Sequence, residues 1–99
     1  MTISYKNLAT GDISNSIGIA VKWYSKGFRV AMIYDDEFRC DIKVIPEPME
    51  TFADLYGCLY EYDEGTVVYC EEDDDFHIIT RCFSENERAS LKFLNKLYA

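Results

Sequence analysis

The chain has 99 residues, 48% of them hydrophobic and 15% aromatic, which suffices for one domain with a modest core. Eighteen acidic and ten basic side chains give a net charge of −8, which disfavours nucleic acid and anionic membranes as direct partners because like charges repel. No apolar run approaches the ~20 residues of a membrane-spanning helix, and the N-terminus lacks the apolar core of a signal peptide, so we expect a cytoplasmic protein.

The first predicted elements are a short edge strand at residues 2–6 and a helix at residues 13–26. The helix would be capped by Asp12 and stopped by Gly27. Its apolar face comprises Ile13, Ile17, Ala20, Val21 and Tyr24. A strand is the alternative, because Ile17, Ile19, Val21 and Trp23 also alternate and are β-branched or aromatic.

A first β-hairpin is predicted over residues 28–45, where apolar and polar side chains alternate. A three-residue loop at residues 35–37 sets its register and gathers the apolar side chains on one face. In that register the cross-strand pairs are Tyr34 with Phe38, Met32 with Cys40, Ala31 with Asp41, Val30 with Ile42, Arg29 with Lys43, and Phe28 with Val44.

A second helix and a second hairpin follow. The helix, residues 49–62, would begin near Pro48, since proline is tolerated in a first turn, and Gly65 would close the segment. The hairpin, residues 66–83, is apolar on both faces, which indicates a central position covered on both sides.

The last predicted element is a helix from Ser84 to the C-terminus. Ser84 and Glu87 form a capping box. The apolar stripe comprises Ala89, Leu91, Phe93, Leu94, Leu97 and Tyr98, and the opposite face carries Arg88, Lys92 and Lys96.

An internal repeat supports this arrangement of elements. At an offset of 38 residues, Gly27 matches Gly65, Val30 matches Val68, Asp35 and Asp36 match Asp73 and Asp74, and Phe38 matches Phe76. The repeat, residues 13–48 and 51–86, predicts two α-β-β units followed by the last helix. We therefore expect a single α+β domain with an antiparallel-rich sheet backed by helices.

The cysteines and the single histidine give little reason to expect an enzyme, a metal site or a cofactor. Cys40, Cys58, Cys70 and Cys82 fall singly in apolar patterns, so we interpret them as buried free thiols, with two disulfides as the alternative. A Cys70–His77 nucleophile pair requires a strand register that places them together, and the sequence contains no catalytic motif.

The acidic side chains concentrate at the hairpin tips and at the end of the second helix. The short links between elements place the two tips at opposite ends of the sheet, which predicts two acidic poles. The first tip would be joined by Glu61, Asp63, Glu64, Glu85 and Glu87, and the second by Glu47 and Glu50. The candidate binding residues are Asp35, Asp36, Glu37, Glu61, Asp63, Glu64, Glu71, Glu72, Asp73, Asp74 and Asp75.

Two hypotheses account for this charge. In the first, the protein is a non-enzymatic inhibitor or adaptor whose carboxylates imitate phosphates and bind a basic groove on a protein partner, such as a nucleic-acid-binding protein or complex. Phage-borne inhibitors of host nucleases and defence complexes offer an analogy of size and charge. In the second, the protein is a regulatory or immunity-type domain that forms a homodimer or binds a protein through apolar and tyrosine surfaces, and its acids serve only solubility.

Overall fold

The computed structural model describes residues 3–59 and 61–80, and over this part of the chain the protein is α+β, as expected. The predicted helix at residues 84–98 and Cys82 lie outside the described residues. The elements are β1 (Ile3–Asn7), β2 (Ile13–Ser14), α1 (Ile17–Ser25), β3 (Val30–Tyr34), β4 (Glu37–Asp41), β5 (Lys43–Val44), α2 (Phe52–Cys58), β6 (Thr66–Cys70) and β7 (Asp75–Ile78).

The strands form two sheets, so the expectation of one sheet was wrong. The first is antiparallel in the order β2-β1-β3-β4, and the second has the order β5-β6-β7, with β5 parallel to β6. The chain changes sheets at Ile42: the Lys43 amide donates to the Gly65 carbonyl at 3.0 Å, and the Ile45 amide donates to the Val67 carbonyl at 2.9 Å. β1 was predicted as an edge strand but lies between β2 and β3.

The core joins both sheets to one face of α1. Ala20 and Val21 are the buried residues of this helix. They belong to a buried cluster with Tyr5, Val30, Met32, Ile42 and Val67, which come from β1, β3, the β4–β5 link and β6. Burial of these apolar side chains is the main driving force that holds the two sheets together.

Residues 17–25 form a helix, as predicted, but its start was placed too early. The hydroxyl of Ser16, not Asp12, accepts a hydrogen bond from the Ile19 amide at 3.4 Å and caps α1. The preceding Ile13–Ser14 pairs with β1 as strand β2. The helix ends as expected before Gly27, whose φ of 90° suits glycine.

The first hairpin has a two-residue turn rather than the predicted three-residue loop. Asp35 and Asp36 have φ values of 49° and 63°, the left-handed pair of a type I′ turn, whose twist matches that of paired strands. Tyr34 therefore lies opposite Glu37, and a bulge between Met32 and Ile33 restores the predicted pairs Met32–Cys40 and Ala31–Asp41. Phe28 lies outside the strands, and Val44 belongs to the second sheet.

The second helix is shorter than the predicted residues 49–62. A capping box starts it: the Thr51 hydroxyl accepts from the Asp54 amide, and the Asp54 carboxylate accepts from the Thr51 amide, each at 3.2 Å. Met49 is extended and forms a parallel bridge with Cys70. Because the bridge holds residue 49 in the second sheet, the helix begins only at Phe52.

The second hairpin forms, but only its first strand has the predicted central position, since β7 (Asp75–Ile78) is an edge strand with no fully buried residue. β6 lies between β5 and β7, and its Val67, Val68 and Cys70 are buried. The order α-β-β occurs twice in the described chain, but the two hairpins belong to different sheets, and the internal repeat stays a prediction. Neither helix of the described residues has the length and apolar character needed to cross a bilayer.

Candidate acidic binding surface

Charge is segregated along the chain. Residues 3–44, which form the first sheet, α1 and β5, carry six bases and five acids. Residues 45–80, which form α2, β6 and β7, carry no lysine or arginine. Their eleven acids are Glu47, Glu50, Asp54, Glu61, Asp63, Glu64, Glu71, Glu72, Asp73, Asp74 and Asp75, a net charge of −11 with His77 neutral.

The turn between β6 and β7, residues 71–75, holds five exposed acids, of which three have local structural roles. Glu72 Oε2 accepts from the Phe52 amide at 2.7 Å. Asp73 Oδ2 lies 2.8 Å from His77 Nε2, and Asp75 Oδ1 accepts from the Phe76 amide at 2.8 Å. These three contacts give a structural reason for part of the charge. The side chains of Glu71 and Asp74 are exposed and make no such contact with the described residues.

A groove beside α2 is lined by three acids. Glu47, Glu50 and Asp54 line it, with Ile45, Pro48, Met49, Cys58 and Tyr62. The pKa of Tyr62 is raised, mainly by partial burial and to a smaller extent by the charges of the nearby Cys58, Glu61 and Glu47. Glu61 also raises the pKa of Cys58, after the effect of burial. Glu47 and Glu61 therefore both lie near enough to Tyr62 for their charges to raise its pKa.

These contacts define one acidic surface. The hydrogen bond from Phe52 to Glu72 joins the groove beside α2 to the β6–β7 turn. We use the term acidic surface for the exposed carboxylates Glu47, Glu50, Asp54, Glu61, Glu71, Glu72, Asp73, Asp74 and Asp75. Glu61 was predicted near the first hairpin tip, but its contacts place it with Glu47 and Cys58.

The other predicted site residues lie elsewhere. Asp35, Asp36 and Glu37 are exposed at the β3–β4 turn. β5 continues the direction of β4, and β6 is parallel to β5, so this turn and the β6–β7 turn lie at opposite ends of the strands. Asp63 is exposed, and its carbonyl accepts from the Thr66 amide at 3.2 Å.

Glu64 is only half-buried and lies beside Cys40, outside the acidic surface. Burial, with the charges of Glu64 and Asp41, raises the pKa of Cys40 to about 11. Asp41 is in turn paired with Arg29, whose Nε donates to Asp41 Oδ2 at 2.5 Å. The carboxylates near β4 are thus partly neutralised, unlike those of the acidic surface.

The described residues bring together no catalytic pair of the kind considered from the sequence. Cys70 is buried opposite Asp75, and His77 lies opposite Val68, so the thiol and the imidazole share a face but are not direct cross-strand partners. His77 Nε2 lies instead 2.8 Å from Asp73 Oδ2. Cys40, Cys58 and Cys70 are free thiols. Within residues 3–59 and 61–80, no group of histidine, cysteine and carboxylate side chains is arranged to hold a metal ion.

Three members of the acidic surface, Glu47, Glu50 and Asp54, were not among the predicted site residues. The signal for Asp54 is the T-x-x-D pattern at residues 51–54, which marks a helix start and places Asp54 in the first turn of that helix. The signal for Glu47 and Glu50 is the lack of any lysine or arginine over residues 45–80.

Comparisons with protein-family models, with curated proteins and with solved structures find no match.

Proposed function

We propose that the chain is a non-enzymatic cytoplasmic protein whose acidic surface binds a basic groove on a protein partner. A groove that binds nucleic-acid phosphates has the required chemistry, because carboxylates on a rigid scaffold imitate the charge of phosphates. The protein would then act as an inhibitor or adaptor. The observation that carries the proposal is the net charge of −11 over residues 45–80.

Solubility alone does not require this distribution. A small domain remains soluble with a net charge magnitude of about 2–8 and with both signs mixed over its surface. Here six bases lie in residues 3–44 and four in residues 81–99, whereas residues 45–80 carry eleven acids and no lysine or arginine. Such a one-sided field destabilises the folded chain by self-repulsion but accelerates encounter with a basic partner.

The exposed acids without a structural contact are the best candidates for direct binding. Within the acidic surface, Glu72 caps α2 and Asp54 belongs to the capping box, so their carboxylates are partly occupied. Glu47, Glu50, Glu71 and Asp74 are exposed and are assigned no such role by the described contacts. Asp35, Asp36 and Glu37, at the opposite end, would meet only a partner that extends along the strands.

A salt-dependent capture experiment tests the proposal. The purified chain, immobilised, would capture proteins from a cell lysate at low and at high salt, and mass spectrometry would identify those lost at high salt. The recombinant captured protein would then be used to measure association rates. A partner with a nucleic-acid-binding groove, whose association slows with salt, supports the proposal.

Two matched variants then locate the contact. The first carries Glu47→Gln, Glu50→Gln, Glu71→Gln and Asp74→Asn; the second carries Asp12→Asn, Asp35→Asn, Asp36→Asn and Glu37→Gln. Both gain four units of charge, so any difference between them reports position. We expect a roughly tenfold or greater loss of association rate in the first variant only. If both variants bind like the parent, the acids do not contribute to binding.

A regulatory or immunity-type domain that self-associates is the second candidate. Ile13 on β2 and Phe38 on β4 are 62% and 56% exposed, and these are the edge strands of the first sheet. Exposed apolar side chains on edge strands favour pairing with another chain. Sedimentation at several concentrations tests this: a dimer that Phe38→Ser dissociates would support it, and a monomer at all concentrations would exclude it.

A further inference from the structure

An apolar cavity of about 290 Å³ lies between the two sheets and both helices. Its volume lies at the lower end of the range of small-molecule sites, ~300–1,000 Å³, and because its lining is mostly apolar a few apolar side chains would also fill it. The lining residues that matter here are Ile3 and Tyr5 on β1, Ile17 on α1, Leu55 and Leu59 beside α2, and Ile78 on β7.

The described chain ends in the wall of this cavity. Ile79 and Thr80 line it and are only 2% and 7% exposed. Ser84, the predicted start of the last helix, follows Thr80 by four residues. Four extended residues span at most about 14 Å, so any helix that begins at Ser84 must begin close to the cavity.

The sequence of residues 84–98 fits this position in length, polarity and charge. Fifteen residues make a helix of about 22 Å, enough to run along the cavity. One stripe of it is apolar, around Leu91, Leu94 and Leu97. Residues 81–99 contain four bases and two acids, a net charge of +2, whereas residues 45–80 carry −11.

We infer that residues 84–98 dock as an amphipathic helix on this cavity, with Leu91 and Leu94 inserted between the sheets. Lys92 and Lys96, on the opposite side of such a helix, remain in solvent. Docking removes the apolar lining from water and adds the helix to a small core, which is the expected source of its stability. The inference does not require the proposed function, but both use the charge of residues 45–80, part of which the bases of the docked helix would offset.

Photo-crosslinking in the full chain tests the inference. A genetically encoded benzophenone amino acid at Asn15, an exposed residue on the cavity lining, would report what lies over the cavity. After irradiation, a protease that cleaves after glutamate releases residues 88–99 as one peptide. We expect an intramolecular crosslink from position 15 to this peptide, and at least a tenfold lower yield from the same probe at Lys22.

Two matched pairs of substitutions test which face of the helix contacts the cavity. Leu91→Ser with Leu94→Ser should lower the crosslink yield at least tenfold, whereas Lys92→Ser with Lys96→Ser should change it less than twofold. A crosslink between two chains would overturn the inference, because a second copy would then occupy the cavity. No crosslink to residues 88–99 in the unsubstituted chain would overturn it as well, and that result does not depend on whether the serine variants fold.

Discussion

The Glu72 carboxylate accepts a hydrogen bond from the Phe52 backbone amide at 2.7 Å, across twenty residues of sequence. Phe52 is the first residue of α2, so its amide has no acceptor within the helix. Glu72 therefore acts as a second cap beside Thr51 and holds the β6–β7 turn against α2. This contact links the carboxylates of the β6–β7 turn to those beside α2.

Glu72→Ala should destabilise the fold, whereas Glu71→Ala should not. A carboxylate that caps a helix contributes about 1 kcal/mol, so we expect Glu72→Ala to lower the free energy of unfolding by about that amount. Glu71 is the matched control, since it is an adjacent exposed glutamate. Urea unfolding followed by circular dichroism gives both values. Equal effects of the two substitutions would contradict the capping role.

The sequence predicted local structure better than the assembly of the sheets. The pairs Met32–Cys40 and Ala31–Asp41 follow from alternation alone, because a slip by one residue would turn apolar side chains to solvent. The type I′ turn at Asp35 and Asp36 was missed because such a turn needs a left-handed φ at both central residues, where glycine and asparagine are the usual residues. Here two aspartates take that conformation. No local pattern indicates that Lys43 leaves the first sheet to pair with Thr66.

The candidate site was predicted only in part, for a related reason. The acidic run at residues 71–75 is contiguous, so the sequence alone places it on one turn. The association of Glu47 with Glu61 depends on how the chain folds back around Cys58 and Tyr62, which is a tertiary contact. Likewise, nothing in the sequence pairs Glu72 with Phe52.

Gly65→Ala should be far more destabilising than Gly27→Ala. Both glycines have left-handed φ values, 86° and 90°, so alanine is strained at either position. At Gly65 an added Cβ would also lie 2.5 Å from Cys40 Sγ and 2.7 Å from the Asp41 carbonyl oxygen, whereas at Gly27 it meets nothing within 4 Å.

We therefore expect a loss of about 1 kcal/mol for Gly27→Ala and of at least about 3 kcal/mol for Gly65→Ala. Thermal and urea unfolding of the two variants provide the comparison. Similar losses would mean that the close approach of residue 65 to β4 does not constrain the fold.

Tyr5 should make stability depend on pH under alkaline conditions. Burial raises the pKa of Tyr5 to about 12, whereas tyrosine in an unfolded chain ionises near pH 10. Below pH 10 both states are neutral and the contribution is fully present. Between pH 10 and 12 the unfolded state loses its proton first, so stability falls with rising pH.

Tyr5→Phe removes this contribution. Relative to its own stability at pH 8, the variant should lose on the order of 2 kcal/mol less than the parent between pH 10 and 12. Urea unfolding at several pH values measures the difference. Parallel curves for the two proteins would show that the Tyr5 hydroxyl is not protected by burial.

The acids of the β6–β7 turn should reduce stability at low salt. Glu71 and Asp74 add charge to the −11 of residues 45–80, whereas residues 3–44 are close to neutral. The variant Glu71→Gln with Asp74→Asn should therefore melt about 1–4 °C higher than the parent at low salt, because relieving like-charge repulsion contributes a few tenths of a kcal/mol per contact. Asparagine tolerates the φ of 55° at residue 74.

The control, Asp12→Asn with Asp35→Asn, makes the same change of charge in the balanced half and should melt within about 1 °C of the parent. The difference between the two variants should shrink by more than half at high salt, because ions screen exposed charges beyond a few ångströms. Thermal unfolding at two salt concentrations measures it. Equal melting temperatures at low salt would show that the acids of the turn do not lower the stability of the fold. A higher value for the first variant would mean that these acids are retained against stability, as a binding surface requires.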